Sequence, residues 1–268
     1  MSNLNRLIVA GCSNTYGEGL PDCCERGTQA SILGWPNQLA TLMGISTVIN
    51  LGIGGAGNKH ISNSLLDKAG VDFFNPDTDI VVFLWSYFNR HCIFQDNREI
   101  ERYLPSDLKR FELEQMSTAD KFAMMVQLKH RIAPPAPDKY KKVKKWYSRY
   151  HTRTDQRLDN YARISHMQHY LNGKGITNYN FTCETHEYNS IPTWFDGSTL
   201  KSIDVDALST QYGRADDNIH PGVIANMHTA KIITLREITP PNTRAITMSF
   251  IARGSCATWV HFFLTNSV

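Results

Sequence analysis

Three features are scarce or absent in this 268-residue sequence, and each absence excludes a class of protein. No apolar run approaches the roughly 20 residues of a membrane-spanning helix, which excludes a transmembrane helical protein. The six cysteines contain no C-x-x-C pair and no zinc-type spacing with histidine, so neither a disulfide scaffold nor a zinc finger is expected. The charge excess is small, 28 Lys and Arg against 25 Asp and Glu, and does not favour nucleic acid or a membrane as a partner.

The start of the sequence carries no recognisable targeting signal. A strand-like apolar run begins within the first ten residues, without a basic segment or a cleavage-site pattern before it. Together with cysteines that are expected to be free thiols, this predicts a cytoplasmic location. The composition, with 41% hydrophobic and 20% charged residues, is that of an ordinary globular protein.

Strand and helix patterns alternate along the first half of the chain. Uninterrupted apolar strands joined by helices indicate a parallel sheet that is covered on both faces. The sequence therefore predicts an α/β fold, a three-layer α/β/α arrangement around a doubly wound parallel sheet. The predicted strands are 7–10, 47–51, 79–85 and 178–182, and the predicted helices are 35–43, about 60–68, 118–131, 139–150, 155–171 and 221–236.

Two segments depart from this alternation. Residues 91–153 are rich in charge and aromatic side chains and are interpreted as a helical insertion in a domain that spans 1–238. Seven Lys and Arg lie between 139 and 153, which favours a solvated helix face over a groove for an anionic polymer. Residues 239–268 contain no Asp or Glu and form a tail for which the sequence predicts no clear structure.

Each predicted strand of the first half ends in a short polar or glycine-rich segment, and the carboxyl ends of parallel strands share one edge of a sheet. One such segment contains Ser13, and a segment before the last helix contains Asp217 and His220. A serine hydroxyl becomes a good nucleophile when a histidine accepts its proton. A carboxylate three residues before that histidine can reach the far ring nitrogen and fix its tautomer, with Asp216 as the alternative to Asp217.

These segments resemble, in order, the four sequence blocks of the SGNH (GDSL-type) hydrolases, over residues 5–90 and 155–236. Ser13 matches the nucleophile, Gly55 the second-block glycine, and Asn89 the third-block asparagine, while Asp217 and His220 match the D-x-x-H of the last block. The resemblance implies a flavodoxin-like fold and a serine esterase, with carbohydrate O-deacetylation as one specific activity. It also implies an oxyanion hole formed by the N–H of Ser13, the N–H of Gly55 and the amide of Asn89.

The first and third blocks depart from the family pattern. Gly11-Cys12-Ser13 stands where the family has G-D-S, and the segment at 85–90 lacks the glycine of G-x-N-D. In a register shifted by one or more residues, Ser86 or Arg90 faces the site instead of Asn89. The resemblance implies no cofactor and no metal, and a small-molecule or glycan ester as the substrate; the oligomeric state is left open.

Other functions remain possible at this point. Gly52-x-Gly54-x-x-Gly57 fits the dinucleotide-binding pattern, but it follows the second strand and lacks the expected acidic residue at a later strand end, which argues against such a site. The altered blocks are also compatible with a non-catalytic module that binds glycans or a protein, and an O-acyltransferase would use the same triad. Aromatic side chains could line a sugar cleft or simply pack in the core, among them Trp85, Tyr87, Trp146, Tyr147, Tyr150 and Trp194.

Overall fold

The computed structural model describes residues 4–23, 29–68, 73–95, 100–105, 137–183 and 191–235. Strands and helices alternate as the sequence predicts, with a short 3₁₀ turn, Gly197–Thr199, before the last strand. In chain order the elements are β1 (Arg6–Gly11), α1 (Ser13–Tyr16), α2 (Trp35–Met43), β2 (Thr47–Asn50), α3 (Asn58–Lys68), β3 (Asp79–Trp85), β4 (His91–Phe94), β5 (Ile100–Tyr103), α4 (Pro137–Arg149), α5 (Arg153–Gly173), β6 (Thr177–Thr182), β7 (Leu200–Ser202), α6 (Val205–Tyr212) and α7 (Val223–Ile233).

Among the described residues, the central sheet has five strands in the order β2-β1-β3-β6-β7, and every neighbouring pair is parallel. The chain starts near the middle, runs to one edge and then crosses back to build the other half, which is the doubly wound, flavodoxin-like order. The predicted fold class is therefore confirmed. The carboxyl ends of β1, β2 and β3 meet at one edge of the sheet, where the candidate residues follow them.

Two apolar layers cover the sheet, because alternate residues of each strand point to opposite faces. Ile8 and Phe83 belong to the layer beneath α3 and α5, whereas Val9 and Val82 belong to the layer beneath α2 and α7. All seven residues of β3 are buried, which explains why the six residues after Asp79 are apolar without interruption. The Asp79 carboxylate is paired with the Arg6 guanidinium. The sheet is thus buried on both faces, as parallel sheets require.

The insertion, predicted to be helical, contains a β-hairpin that the sequence did not predict as well as a helix. Strands β4 and β5 pair antiparallel, and α4 packs on them through Trp146, whose ring contacts that of Tyr103. The Trp146 ring stacks on His91 with centroids 3.8 Å apart, so its role is packing. The short hairpin strands carry mixed polar and apolar residues, which gave no clear strand pattern, and the helix predicted at 118–131 lies outside the described residues.

The last helix begins later than predicted. Pro221 does not open it; instead Pro221 forms an isolated antiparallel bridge with Arg214, and the Gly222 N–H donates to the Gly213 carbonyl at 3.0 Å. These contacts hold residues 221–222 extended, so α7 starts at Val223 with Gly222 as its N-cap. Within the described ranges, no helix has the length and apolarity needed to cross a bilayer. The tail at 239–268 lies outside them, and the domain boundary at 238 stays a prediction.

Candidate active site

The chain turns sharply after β1, and Ser13 is the first residue of the one-turn helix α1 that follows. A Cβ atom at Gly11 would approach Thr15 Oγ1 to 2.0 Å, so glycine is needed for this close approach. The N–H groups of Gly17 and Glu18 both donate to the Ser13 carbonyl, at 2.9 and 3.1 Å, because Gly17 adopts the left-handed conformation that ends the helix. The turn leaves Ser13 only 4% exposed and folds Glu18 back towards it.

Asp217 and His220 are joined within a second tight turn, shortly before α7. The distance from Asp217 Oδ2 to His220 Nδ1 is 2.5 Å, and Asp217 Oδ1 accepts the backbone N–H groups of Ile219 and His220 at 2.9 and 3.0 Å. Burial raises the pKa of Asp217, but the hydrogen bonds from His220 and Ile219 outweigh it and lower that pKa to about 2. Because an ionised carboxylate only accepts hydrogen bonds, it keeps the proton on Nδ1 and leaves Nε2 as the basic nitrogen.

The two turns pack against each other although they lie near opposite ends of the described chain. The Asp216 N–H donates to the Gly19 carbonyl at 3.3 Å. Gly19 has a φ of 86°, and a Cβ atom there would lie 2.5 Å from Asp217 Cγ, so glycine provides both the backbone conformation and the space. The D-x-x-H segment is thereby brought to the turn that carries the serine.

Glu18 lies beside the Nε2 atom of His220, on the opposite side of the ring from Asp217. Its Oε2 atom lies 3.9 Å from His220 Nε2, and Glu18 is only 8% exposed. Between the described residues Ser13 and His220 there is no direct hydrogen bond. Catalytic hydrogen bonds are often long in unliganded enzymes and tighten when substrate binds. Sequence reasoning missed Glu18, and the only signal was its place between Gly17 and Gly19.

The glycine-rich loop after β2 packs on the Ser13 turn, held by a hydrogen bond from Asn50 Nδ2 to the Thr15 carbonyl at 2.8 Å. Gly54 is the glycine of this loop that contacts Glu18, because a Cβ atom added to Gly54 would lie 2.9 Å from Glu18 Oε2. Gly55 has a φ of 70° and faces the β4–β5 hairpin instead. A Cβ atom added to Gly55 would have Leu104 Cδ1 as its nearest neighbour, at 3.7 Å. The oxyanion role of the Gly55 N–H stays a prediction.

The same loop explains the pattern that resembles a dinucleotide site. Gly52 lies against the backbone of Tyr16, and Gly57 lies against the carbonyl of Arg90, where a Cβ atom would come within 2.5 and 2.7 Å respectively. Close approach of protein atoms therefore accounts for these glycines, as Glu18 does for Gly54. No bound phosphate is needed to explain them.

Asn89 and Arg90 point to different surroundings. Asn89 is exposed, and its carbonyl accepts the hydroxyl hydrogen of Tyr147 at 2.5 Å. The Arg90 guanidinium lies over the Tyr87 ring at 5.0 Å, and its Nη1 atom is buried without a hydrogen-bond partner among the described residues. Ser86, the other residue of the alternative register, is fully buried, and its Oγ atom also lacks a hydrogen-bond partner among the described residues. The role of Asn89 and the alternatives Ser86 and Arg90 stay predictions.

The thiol beside Ser13 is that of Cys12, which is fully buried and hydrogen-bonded with Cys183. A hydrogen bond from Cys183 is the largest cause that lowers the pKa of Cys12, and the positive charge of Arg90 lowers it further against the effect of burial. Asn14 Nδ2 also donates to Cys183 Sγ, at 3.7 Å. Arg90 therefore lies within electrostatic reach of the residue that precedes Ser13.

Asn58 is a second residue that the sequence did not identify. Its fully buried side chain accepts the Ser86 N–H at 2.7 Å and donates to the Ser86 carbonyl at 3.2 Å and to Asn160 at 2.7 Å. These bonds fasten the glycine-rich loop to the end of β3. Trp194 lies elsewhere: it borders a polar hollow of about 600 Å³ next to α5 and β6, which no predicted triad residue lines.

Comparisons with known proteins find similarity in structure but not in sequence. No protein-family model matches the chain, and no curated protein matches it. A lipolytic protein of the G-D-S-L family from Desulfitobacterium hafniense is 11% identical, with 86% of this chain and 98% of that chain covered and a TM-score of 0.31. A carbohydrate esterase whose active site has divergent catalytic and non-catalytic binding functions is 12% identical (90% and 70% covered, TM-score 0.46). A phospholipase A1 from Streptomyces albidoflavus is 11% identical (88% and 100% covered, TM-score 0.41).

Proposed function

We propose that the chain is a serine esterase of the SGNH (GDSL-type) kind that hydrolyses carboxylic esters. Ser13 is the nucleophile, His220 the general base and Asp217 the carboxylate that orients the base. The observation that carries the proposal is the 2.5 Å contact between Asp217 and His220 Nδ1 on a turn that packs against the Ser13 turn. It leaves Nε2 as the nitrogen that can accept a proton.

In the first half of the reaction, Ser13 Oγ attacks the ester carbonyl carbon while His220 Nε2 accepts the hydroxyl proton. The imidazolium is stabilised by Asp217, and Nε2 then gives its proton to the leaving alcohol. In the second half, water attacks the acyl carbon and gives one proton to Nε2. Nε2 then passes this proton to Ser13 Oγ as the bond between the acyl carbon and Oγ breaks and the carboxylic acid leaves. The proton cycles between oxygen and nitrogen, so this route needs only these three side chains and water.

The oxyanion of each tetrahedral intermediate needs hydrogen-bond donors. The N–H of Ser13, the N–H of Gly55 and the amide of Asn89 are the donors that the resemblance implies. Arg90 is the alternative third donor, supported by its buried and unpartnered Nη1 atom. Loss of one such donor typically costs roughly 3–4 kcal/mol of transition-state stabilisation.

A small acyl group, such as acetyl on a carbohydrate, is the substrate that we favour. Ser13 is only 4% exposed and Glu18 only 8%, and we infer that this enclosed position suits a small acyl group better than a long acyl chain. Glu18 is also a polar wall beside the base, which suits a substrate with hydroxyl groups better than a lipid. A steep fall in activity from acetate to octanoate esters is therefore expected.

The test is hydrolysis of p-nitrophenyl acetate by the wild type and by Ser13→Ala and His220→Ala. Each variant is expected to lose roughly 10³-fold or more in kcat/KM. Ser148→Ala and His166→Ala are matched controls, because both residues are exposed on helices α4 and α5 and should leave the rate unchanged. Equal rates in Ser13→Ala and the wild type would refute the proposal.

A non-catalytic binding module is the second candidate, favoured by the missing hydrogen bond between Ser13 and His220 and by the exposed position of Asn89. It predicts no turnover by a folded wild-type protein on any p-nitrophenyl ester. Retention of acetylated and deacetylated oligosaccharides by the immobilised wild type, unchanged in Ser13→Ala, would then support binding without catalysis.

A further inference from the structure

Glu18 is a buried carboxylate whose position the proposed triad does not use. The left-handed conformation of Gly17 turns the chain so that the Glu18 N–H binds the Ser13 carbonyl at 3.1 Å. Its side chain then lies between the glycine-rich loop at Gly54 and the imidazole of His220. The base is consequently flanked by two carboxylates, Asp217 on Nδ1 and Glu18 on Nε2.

The distance of 3.9 Å between Glu18 Oε2 and His220 Nε2 is too long for a direct hydrogen bond. It does match a bridge through one oxygen atom. For an oxygen atom about 2.8 Å from both Nε2 and Oε2, the angle Nε2–O–Oε2 is about 90°. This is close to the angle between the two O–H bonds of water. A water molecule can therefore donate one hydrogen to Nε2 and the other to Glu18.

An alcohol cannot make both bonds, because it has a single O–H group. If it donates this hydrogen to Nε2 for activation, it has nothing to donate to Glu18, and the carboxylate faces a lone pair. The arrangement thus discriminates between the two molecules that can attack an acyl-serine. Water is favoured, and transfer to an alcohol is disfavoured.

We propose that Glu18 binds the deacylating water and so makes the enzyme a hydrolase and not an O-acyltransferase. In this step the water oxygen forms a bond to the acyl carbon and gives one proton to Nε2, while its other hydrogen stays bound to Glu18. The bond from the acyl carbon to Ser13 Oγ then breaks, Oγ takes the Nε2 proton, and the carboxylic acid leaves. The inference rests on the proposed esterase function.

The test compares Glu18→Met, which has similar length but no acceptor oxygen, with Glu18→Gln, which retains one. Phosphonylation of Ser13 by a fluorophosphonate reports the nucleophile and base without deacylation. Release of p-nitrophenol from the acetate ester reports both halves of the reaction. The ratio of methyl acetate to acetic acid formed in added methanol reports the choice of acceptor.

For Glu18→Met we expect phosphonylation within about 3-fold of the wild type, deacylation at least about 10-fold slower, and a methyl acetate to acetate ratio at least about 5-fold higher. Glu18→Gln should recover part of the deacylation rate and of the acceptor ratio that Glu18→Met loses, because its amide oxygen still accepts a hydrogen from water.

Two results would overturn the inference while leaving the esterase proposal intact: an unchanged acceptor ratio in Glu18→Met, or a parallel fall of phosphonylation and turnover in both variants. The latter would mean that Glu18 only supports the serine and histidine. A wild-type protein that is neither phosphonylated nor able to release p-nitrophenol would instead refute the esterase itself, and the water-binding role with it.

Discussion

Replacement of Asp217 by Asn tests the orienting role of this carboxylate. The variant keeps the size of the side chain and one oxygen for the backbone N–H groups of Ile219 and His220. It presents an amide to His220 Nδ1, however, and two donors cannot share that contact. The ring proton then moves to Nε2, the nitrogen that must act as base, and kcat should fall by roughly 10³–10⁴-fold.

The same substitution has a predictable effect on stability. The pKa of Asp217 lies at about 2, against an ordinary value of 3.8. A tenfold change in proton affinity corresponds to about 1.4 kcal/mol. The lowered pKa therefore sets an upper limit of about 2.5 kcal/mol on what the Asp217 carboxylate contributes to the free energy of unfolding. The side chain is 28% exposed, and solvent screening reduces the contribution to about 1–2 kcal/mol.

The sign of the pH dependence follows from the direction of the pKa change. A carboxylate with a lowered pKa stabilises the folded state above its ordinary pKa, and this stabilisation disappears as the pH falls through the folded value. The free energy of unfolding in urea should therefore be about 1–2 kcal/mol lower for Asp217→Asn at pH 7, with the difference fading between about pH 4 and pH 2. A difference that is the same at pH 7 and pH 2.5, or unchanged activity, would refute the reasoning.

Three further comparisons of variants test how the site is assembled. Gly19 has a φ of 86°, and Gly19→Ala adds a Cβ atom 2.5 Å from the Asp217 carboxylate, so the variant should lose about 2–4 kcal/mol of unfolding free energy and most of the activity. Gly44→Ala is the control: Gly44 has a φ of 67° but lies in open space, so this variant should lose only about 1–2 kcal/mol and no activity. Equal effects of the two substitutions would contradict this expectation. Arg90→Gln should lower kcat/KM by at least about 10-fold and Asn89→Ala by less than about 3-fold, and the reverse order would restore Asn89 as the oxyanion donor. Asn58→Ala leaves buried backbone groups without partners and should lower the unfolding free energy by about 2–3 kcal/mol in urea titration, while an unchanged value would show that the loop holds without it.

Much of the fold could be predicted from local patterns. Strand β3 and helix α2 have the predicted boundaries, because an uninterrupted apolar run and a helix with proline in its first turn are strong signals. The β4–β5 hairpin, β7 and α6 were not predicted, since their short mixed sequences become ordered through contacts with distant parts of the chain. Pro221 was placed in the helix for the same reason, as its bridge to Arg214 is not visible in the sequence.

In the candidate site too, the sequence predicted what depends on local spacing and not what depends on tertiary contacts. The contact between Asp217 and His220 spans three residues, so spacing alone was enough to predict it. The direction of side chains beyond the strand ends depends on tertiary packing instead. Tyr147, from the insertion, binds the Asn89 carbonyl while the Asn89 side chain stays exposed, and Gly54 rather than Gly55 lies against Glu18. No local sequence pattern indicates either arrangement.

The central claim is that Ser13 is a nucleophile activated by His220. Labelling of the wild-type protein with a fluorophosphonate, followed by peptide mapping in a mass spectrometer, tests it most directly. We expect one phosphonyl group, located on Ser13, and no label in folded His220→Ala. Absence of label in the folded wild type, or a label that remains in His220→Ala at the same rate, would contradict it.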